Sequence, residues 1–385
     1  MRWPEVRFEE ALRDVSAAAT KIPKSRLRDA GALPVVDQGR GLVAGYVDDP
    51  GLAQPNEVPV IVFGDHTRRF KYVDFPFAPG ADGVKILAAR EGFDPRYLYQ
   101  FLASLDIPDA GYARHFKFLK NFPVVKPPLA EQQRIAALLD HVDALRAKRR
   151  EATTLLDSLA QSVFLDMFGD PAANPRQWPA GTVADLVAGF ESGKSIAPGS
   201  DEGAEKRVLK VSAVTSGEFR GSESKPVPED YTVPPAHLVR EGDLLFSRAN
   251  TEDLIGAVAL VEEFTGALAL PDKLWRFVWH DGQDGHPLYV RHLFRQKEFR
   301  RRIRERASGT SGSMKNISQP KVLGIRCGIP PEGLRAEFCA RVRSIDASRR
   351  AHRGHLAALD ELFTSLRHRA FSGSLGDHEA SGETA

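Results

Sequence analysis

From Ile135 onward, apolar residues recur at steps of three and four: Ile135, Leu138, Val142, Leu145, then Arg149, then Ala152, Leu156, Leu159 and Val163. That spacing is a heptad seam with one basic interruption, and it predicts a long helix packed lengthwise on a partner helix. A second stretch repeats the design with Phe338, Val342, Ile345, Arg349, His352, Leu356, Leu359, Phe363 and Leu366, again apolar at both ends and basic in the middle. Pro127-Pro128 and Pro330-Pro331 disfavour helix just upstream, and Gly169 and Gly373 supply stops. At about 1.5 Å per residue, about 40 residues make a rod of roughly 60 Å.

The two stretches are copies. At an offset of 203 and without a gap, residues 127–168 and 330–371 share twelve identities, among them Asp143/Asp346, Arg146/Arg349, Asp157/Asp360, Leu159/Leu362, Ser162/Ser365 and Phe168/Phe371. The blocks between them carry fainter echoes: Trp3-Pro4 and Trp178-Pro179, Phe63 of PVIVFGD and Phe246 of GDLLFSR, Pro95/Tyr97 and Pro287/Tyr289, Lys117 and Lys315. Their offsets grow from 175 to 198, as insertions in one of two homologous domains would produce. Each block mixes short β-rich runs with Gly, Pro and Asp turns and one late helix, an α+β pattern.

The chain therefore reads as domain (1–126), helix (127–169), domain (170–329), helix (330–373) and a disordered tail (374–385). The first helix leads away from the first domain, and the second buries its seam on the first only by running back. The expected fold is α+β: two small β-sheet domains separated by a pair of long antiparallel coiled-coil helices, with a pseudo-twofold internal repeat.

Charge and chemistry narrow the function. With 53 Lys and Arg against 51 Asp and Glu, no global field announces a polyanion, so a nucleic-acid surface has to come from local clusters. Cys327 and Cys339 form no C-x-x-C, which argues against a disulfide scaffold or cysteine zinc site and suits a reducing cytosol. Among the later stretches the most apolar, GAVALVEEFTGALAL, is interrupted by Glu262 and Glu263, so no membrane span is expected and the expected location is the cytoplasm. GFESGKS (Gly189–Ser195) resembles the tail of a phosphate-binding loop, but Ala188 stands where its first glycine belongs. No [NDS]-P-P-[FY], H-E-x-x-H or G-x-S-x-G run occurs, and His352 with His355 lack a third ligand. No catalytic, cofactor-binding or metal residue is assigned.

Nucleic-acid contacts have candidates. RQKEFRRRIRER (295–306) carries seven Lys and Arg, with Phe299 and Ile303 on an apolar side, and predicts a basic amphipathic helix. His66, Arg68, Arg69 and Lys71 follow the strand-like VIVF, as Arg248 and Asn250 follow LLFS. Arg114, His115 and Lys117 precede the first proline pair, Lys315 and Asn316 the second, and Lys194 adds a cation on a glycine-bounded turn. Arg pairs bidentately with guanine and Asn with adenine, while Lys suits phosphate, so these are the residue types that direct readout needs.

PPLAEQQRIAALLDHVDALRAKR, followed by a turn near FGDP, resembles the central conserved region of the specificity subunit of type I restriction-modification systems. GDLLFSRANTEDLIGAVALV, LPDKLWRFV and ASGTSGSMKNISQPKV resemble a target-recognition domain of that family. The resemblance implies a chain without catalysis of its own, whose two recognition domains each read one half of a bipartite, asymmetric target in double-stranded DNA while the helix pair fixes the unread gap. It further implies as partners two modification subunits, which bind S-adenosylmethionine and methylate adenine, and restriction subunits that use ATP and Mg²⁺. Those cofactors would sit on the partners. Exposed positions such as Gln132, Gln133 and Arg134 are the candidate docking residues. The second helix begins PPEGLRAEF and departs from the P-L-x-E-Q-Q pattern, which leaves the relative strength of its docking face open. Rival readings are a stand-alone DNA-binding regulator, a fused methyltransferase or nuclease, and a coiled-coil adaptor that binds no DNA.

Overall fold

The computed structural model describes residues 3–80, 83–111, 113–170, 173–200, 205–262, 264–280, 286–309 and 314–375. Most of the tail expected to be disordered, from residue 376 on, lies outside the described residues.

Both long helices form where the periodicity places them, Leu129–Phe168 and Glu332–Ser372. Gly169 and Gly373 close them in the left-handed conformation, at φ 71° and 79°, where a side chain would be strained. The chain folds into two compact units whose boundary cuts both helices: one unit runs up to Glu151 and resumes at His352, the other is Ala152–Ala351. Each unit holds half of each helix.

In the first unit a four-stranded antiparallel sheet has the order Leu12–Asp14, Val84–Ala89, Val60–Gly64, Phe70–Val73. A three-stranded sheet has the order Gly45–Val47, Leu33–Val36, Ala78–Pro79, the last pair parallel. Helix Pro95–Leu102 starts at Asp94, whose carboxylate accepts the Tyr97 N–H at 2.8 Å. It buries Tyr97, Leu98, Phe101 and Leu102 in one core with Ile135, Ala136 and Leu139 of the first long helix. Phe371 of the second long helix meets Tyr97 and Phe101 edge-on, with centroids 5.8 and 5.2 Å away.

The second unit repeats this topology. Its four strands have the order Gly189–Ser192, Leu274–Val278, Leu244–Ser247, Val258–Leu260, and its three-stranded sheet Ser224–Pro226, Lys206–Leu209, Ala267–Ala269 again ends in a parallel pair. The echoes in sequence are equivalent positions: Phe63 and Phe246 lie in matching strands, and the Pro4 and Pro179 carbonyls each accept a backbone N–H at 2.8 Å, from Lys126 and Ile329. Tyr289 of helix Pro287–Arg295 packs edge-on against Phe168 at 4.9 Å, the counterpart of Tyr97 on Phe371.

Within each unit the long helices run antiparallel. In the first, Arg146 Nε donates to Asp360 at 2.5 Å, and Arg149 faces His352 at 3.2 Å; those two are each other's counterparts at offset 203. In the second, Arg349 donates to Asp157 at 2.9 Å, and Phe164 meets Phe338 at 5.4 Å. Arg146–Asp360 and Arg349–Asp157 are thus one duplicated pair.

The seam departs from the expected register at two places. Leu139 and Ala160 are buried, whereas Leu138 is half-buried and Leu159 is 47% exposed. Leu139 is buried because, with Ile135 and Ala136, it joins the core of the first β-domain, a partner that the spacing of the seam does not record. The expected equivalence of Lys117 and Lys315 also fails. Lys117 lies in helix Phe116–Leu119, which precedes the strand Val124–Val125 as Gln319–Leu323 precedes Arg326–Gly328. Lys315 belongs instead to a two-residue strand paired with Ala249–Asn250, which has no counterpart among the described residues of the first unit.

Candidate nucleic-acid interface

In the first unit two separate stretches of candidates meet on one surface. Asp65, at the turn between strands Val60–Gly64 and Phe70–Val73, accepts the Phe116 N–H on its carboxylate at 2.7 Å and the His115 N–H on its carbonyl at 2.9 Å. The His115 ring is fully buried, with Nδ1 2.8 Å from the Asp65 carbonyl and Nε2 accepting the Ala110 N–H at 3.3 Å. His115 is therefore a strut, not a DNA contact. Lys71 is corrected likewise: it is 7% exposed and bound to Asp37 at 3.3 Å, and burial, partly offset by Asp37, lowers its pKa below the ordinary lysine value. Arg68 takes φ 57° and spends its guanidinium on the Ile107 carbonyl at 3.0 Å and the Asp109 carboxylate at 2.7 Å, tying the turn to the next loop. Arg69, Arg114 and Lys117 stay exposed, beside half-buried His66. Asp65, the organiser, was missed in the sequence, although its place in VFGD at a strand end is a turn signal.

In the second unit Arg248, Asn250, Lys315 and Asn316, read from two stretches, come together as a small ribbon. Ala249 pairs with Asn316 and Asn250 with Lys315, antiparallel, and Ser308 bridges to Asn316 from the other side. Arg248 Nε donates to the Asp272 carbonyl at 2.7 Å, and its guanidinium lies 5.8 Å over Trp275. Beside it opens a cleft of about 550 Å³ lined by Arg248, Trp275, Ser308, Asn316, Gln319 and Lys321, among others. Asn250 is partly engaged, donating to Ser247 at 3.3 Å, while the Asn316 amide makes no side-chain hydrogen bond among the described residues. Lys315 stands 4.0 Å from Glu252. Trp275, the platform, was legible in sequence only as a strand residue of LWRFV.

Lys194 is exposed after strand Gly189–Ser192. Gly193 has a packing reason: a Cβ there would meet the Leu270 carbonyl oxygen at 1.7 Å. The basic helix forms as Lys297–Arg306 with Phe299 and Ile303 buried, but its cations largely serve the fold. Arg300 donates to the Asp253 carbonyl and Arg302 to the Arg326 carbonyl, each at 2.8 Å, while Arg301 pairs with Glu298 and Glu305 on its own helix.

The docking candidates separate. Gln133 and Arg134 are exposed, Arg134 held by Glu131 at 2.7 Å. Gln132 is not: it is fully buried, accepting the Asp94 N–H at 2.8 Å and donating to the carbonyls of Pro127 at 2.9 Å and Gly92 at 3.1 Å. Its amide joins the long helix to the start of helix Pro95–Leu102. Arg335 replaces it at offset 203, so the departure of the second copy from E-Q-Q changes an internal joint. No group of three or more His, Cys, Asp or Glu suited to a metal occurs among the described residues, and no described helix is long and apolar enough to cross a membrane.

No family model matches the chain. Among curated proteins, the specificity subunit of the type I restriction enzyme EcoKI of Escherichia coli is 26% identical over 277 residues, 67% of this chain and 58% of that protein. The EcoEI specificity subunit of Escherichia coli is 26% identical over 175 residues, 45% of this chain and 29% of that protein. The chain spans less than two thirds of either relative. In fold it matches the crystal structure of a type I restriction-modification S subunit from M. genitalium, with TM-score 0.61 and 13% identity over 96% of both chains. A structure described as underlying complex assembly and conformational transition of the type I R-M system matches at TM-score 0.50 and 17% identity, over 97% of this chain and 98% of that one. In sequence the chain is similar to specificity subunits of type I restriction enzymes, and in fold to an S subunit of a type I restriction-modification system.

Proposed function

We propose that this chain is the non-catalytic DNA-recognition subunit of a cytoplasmic type I restriction-modification enzyme. Each β-domain reads one half of a bipartite, asymmetric duplex target, and the long helices hold the readers at fixed spacing and dock two modification subunits, with restriction subunits joining them. S-adenosylmethionine then belongs to the modification partner, and ATP with Mg²⁺ to the restriction partner. One observation carries the reading: two domains of identical strand order, on duplicated helices, carry different side chains at their strand-end loops. The first offers Arg69, Arg114 and Lys117; the second a ribbon with Asn250, Lys315 and Asn316. Equal scaffolds with unequal tips suit an asymmetric target, with phosphate contacts setting register and ribbon side chains testing base edges. Docking of two copies of one partner is supported by Leu159 and Leu362, counterparts at offset 203 that are 47% and 45% exposed.

Selection of bound duplexes from a randomised library tests this. Two short half-sites at a fixed gap are expected, and Asn316→Ala should relax one base of one half-site by about 1–3 kcal/mol. Binding with no bipartite preference would leave the stand-alone regulator or the adaptor as the better reading.

A further inference from the structure

Arg349 is 4% exposed on its side chain and sits among four carboxylates. Two are on the long helices: Asp157 at 2.9 Å and Asp346 at 2.9 Å. Two come from the β-domain: Glu262 at 3.5 Å and Glu218 at 3.8 Å. Its counterpart in the first unit, Arg146, contacts Asp143, Asp360 and the Phe363 ring, all on the long helices. The helix triad is duplicated; the two glutamates are an addition of the second unit. Glu218 lies between strands Lys206–Leu209 and Ser224–Pro226, where the chain takes 14 residues against 8 between Leu33–Val36 and Gly45–Val47. Arg291 of helix Pro287–Arg295 reinforces the joint, reaching the Gly217 carbonyl at 3.4 Å and Asp346 at 3.8 Å.

We propose that Arg349 is a positioning residue: a latch that fixes the orientation of the second β-domain on its stretch of the helix pair, and with it the phase at which that domain meets DNA. The positioning role rests on the DNA-recognition reading; the latch itself does not. A guanidinium presents donors in a rigid planar fork, so one Arg engages helix and domain carboxylates together and couples their angles, which a point-charge ammonium does not.

The test uses the full chain with Glu218→Gln and Glu262→Gln together, which leave the Asp157–Arg349–Asp346 triad and hence the helix pair intact. Amide exchange of residues 216–219 is expected to quicken at least tenfold, with first-unit amides unchanged. In the duplex selection the variant should keep both half-sites but accept gaps one base pair shorter and longer within threefold of the best, where the parent accepts one gap. Unchanged exchange would overturn the latch. Quicker exchange with an unchanged gap distribution would overturn the positioning role. A parent that selects no bipartite duplex would sink the recognition reading, while the exchange experiment would still decide the latch.

Discussion

Replacing Gln132 by Ala separates a structural joint from a docking surface. The amide makes three hydrogen bonds, to Asp94 N, Pro127 O and Gly92 O, and is wholly buried. At a net value of about 1 kcal/mol each these amount to about 3 kcal/mol. Alanine returns a few tenths through its better helix propensity, leaving about 2.5 kcal/mol. The Asp94 N–H is then buried without an acceptor, at the residue whose carboxylate caps helix Pro95–Leu102. Because a chain of two units does not unfold as one, amide exchange is the better assay than a single melting curve. The Asp94 and Tyr97 amides should exchange roughly 60-fold faster, the equivalent of 2.5 kcal/mol, while second-unit amides stay unchanged. Gln133→Ala, one residue on and exposed, should stay within about 0.5 kcal/mol of the parent. Exchange within threefold of the parent would refute the reasoning, as would lost binding of the modification subunit with exchange unaltered.

Leu159→Asp and Leu362→Asp should each remove one modification subunit in native mass spectrometry with the helical circular dichroism unchanged; retention of both would exclude these leucines from the docking faces. Arg69→Ala should weaken duplex binding and reduce the salt slope by about 0.9, whereas Lys71→Met, at a buried position, should leave binding unchanged in the same anisotropy titration. Burial, then Arg291, Arg295 and Arg349, push the His292 pKa well below the ordinary imidazole value. The unfolded chain therefore binds the extra proton, and stability should fall as pH drops from about 6.5 toward the folded value, by up to about 1.4 kcal/mol per pH unit. His292→Leu should remove that slope from urea unfolding of the second unit; an identical slope would assign it to another group.

Sequence alone reveals the long helices, their duplication and the kinship of the β-domains. These rest on local rules: a three-four apolar period, Pro before a helix, Gly after it, and an ungapped offset that ties Arg146 to Arg349 and Phe168 to Phe371. It also named, in separate stretches, most residues that end on the two candidate surfaces. Tertiary structure decided which of them are available. His115, Lys71 and Gln132 are polar residues in polar neighbourhoods of sequence, yet each is buried because a partner distant in the chain, Asp65, Asp37 or Asp94, meets its hydrogen-bonding need. Likewise Arg248, Asn250, Lys315 and Asn316 become one ribbon only through strand pairing across more than sixty residues. Periodicity records which face of an element is apolar. It does not record which polar group on another element will satisfy a given donor, and that pairing separates a strut from a contact.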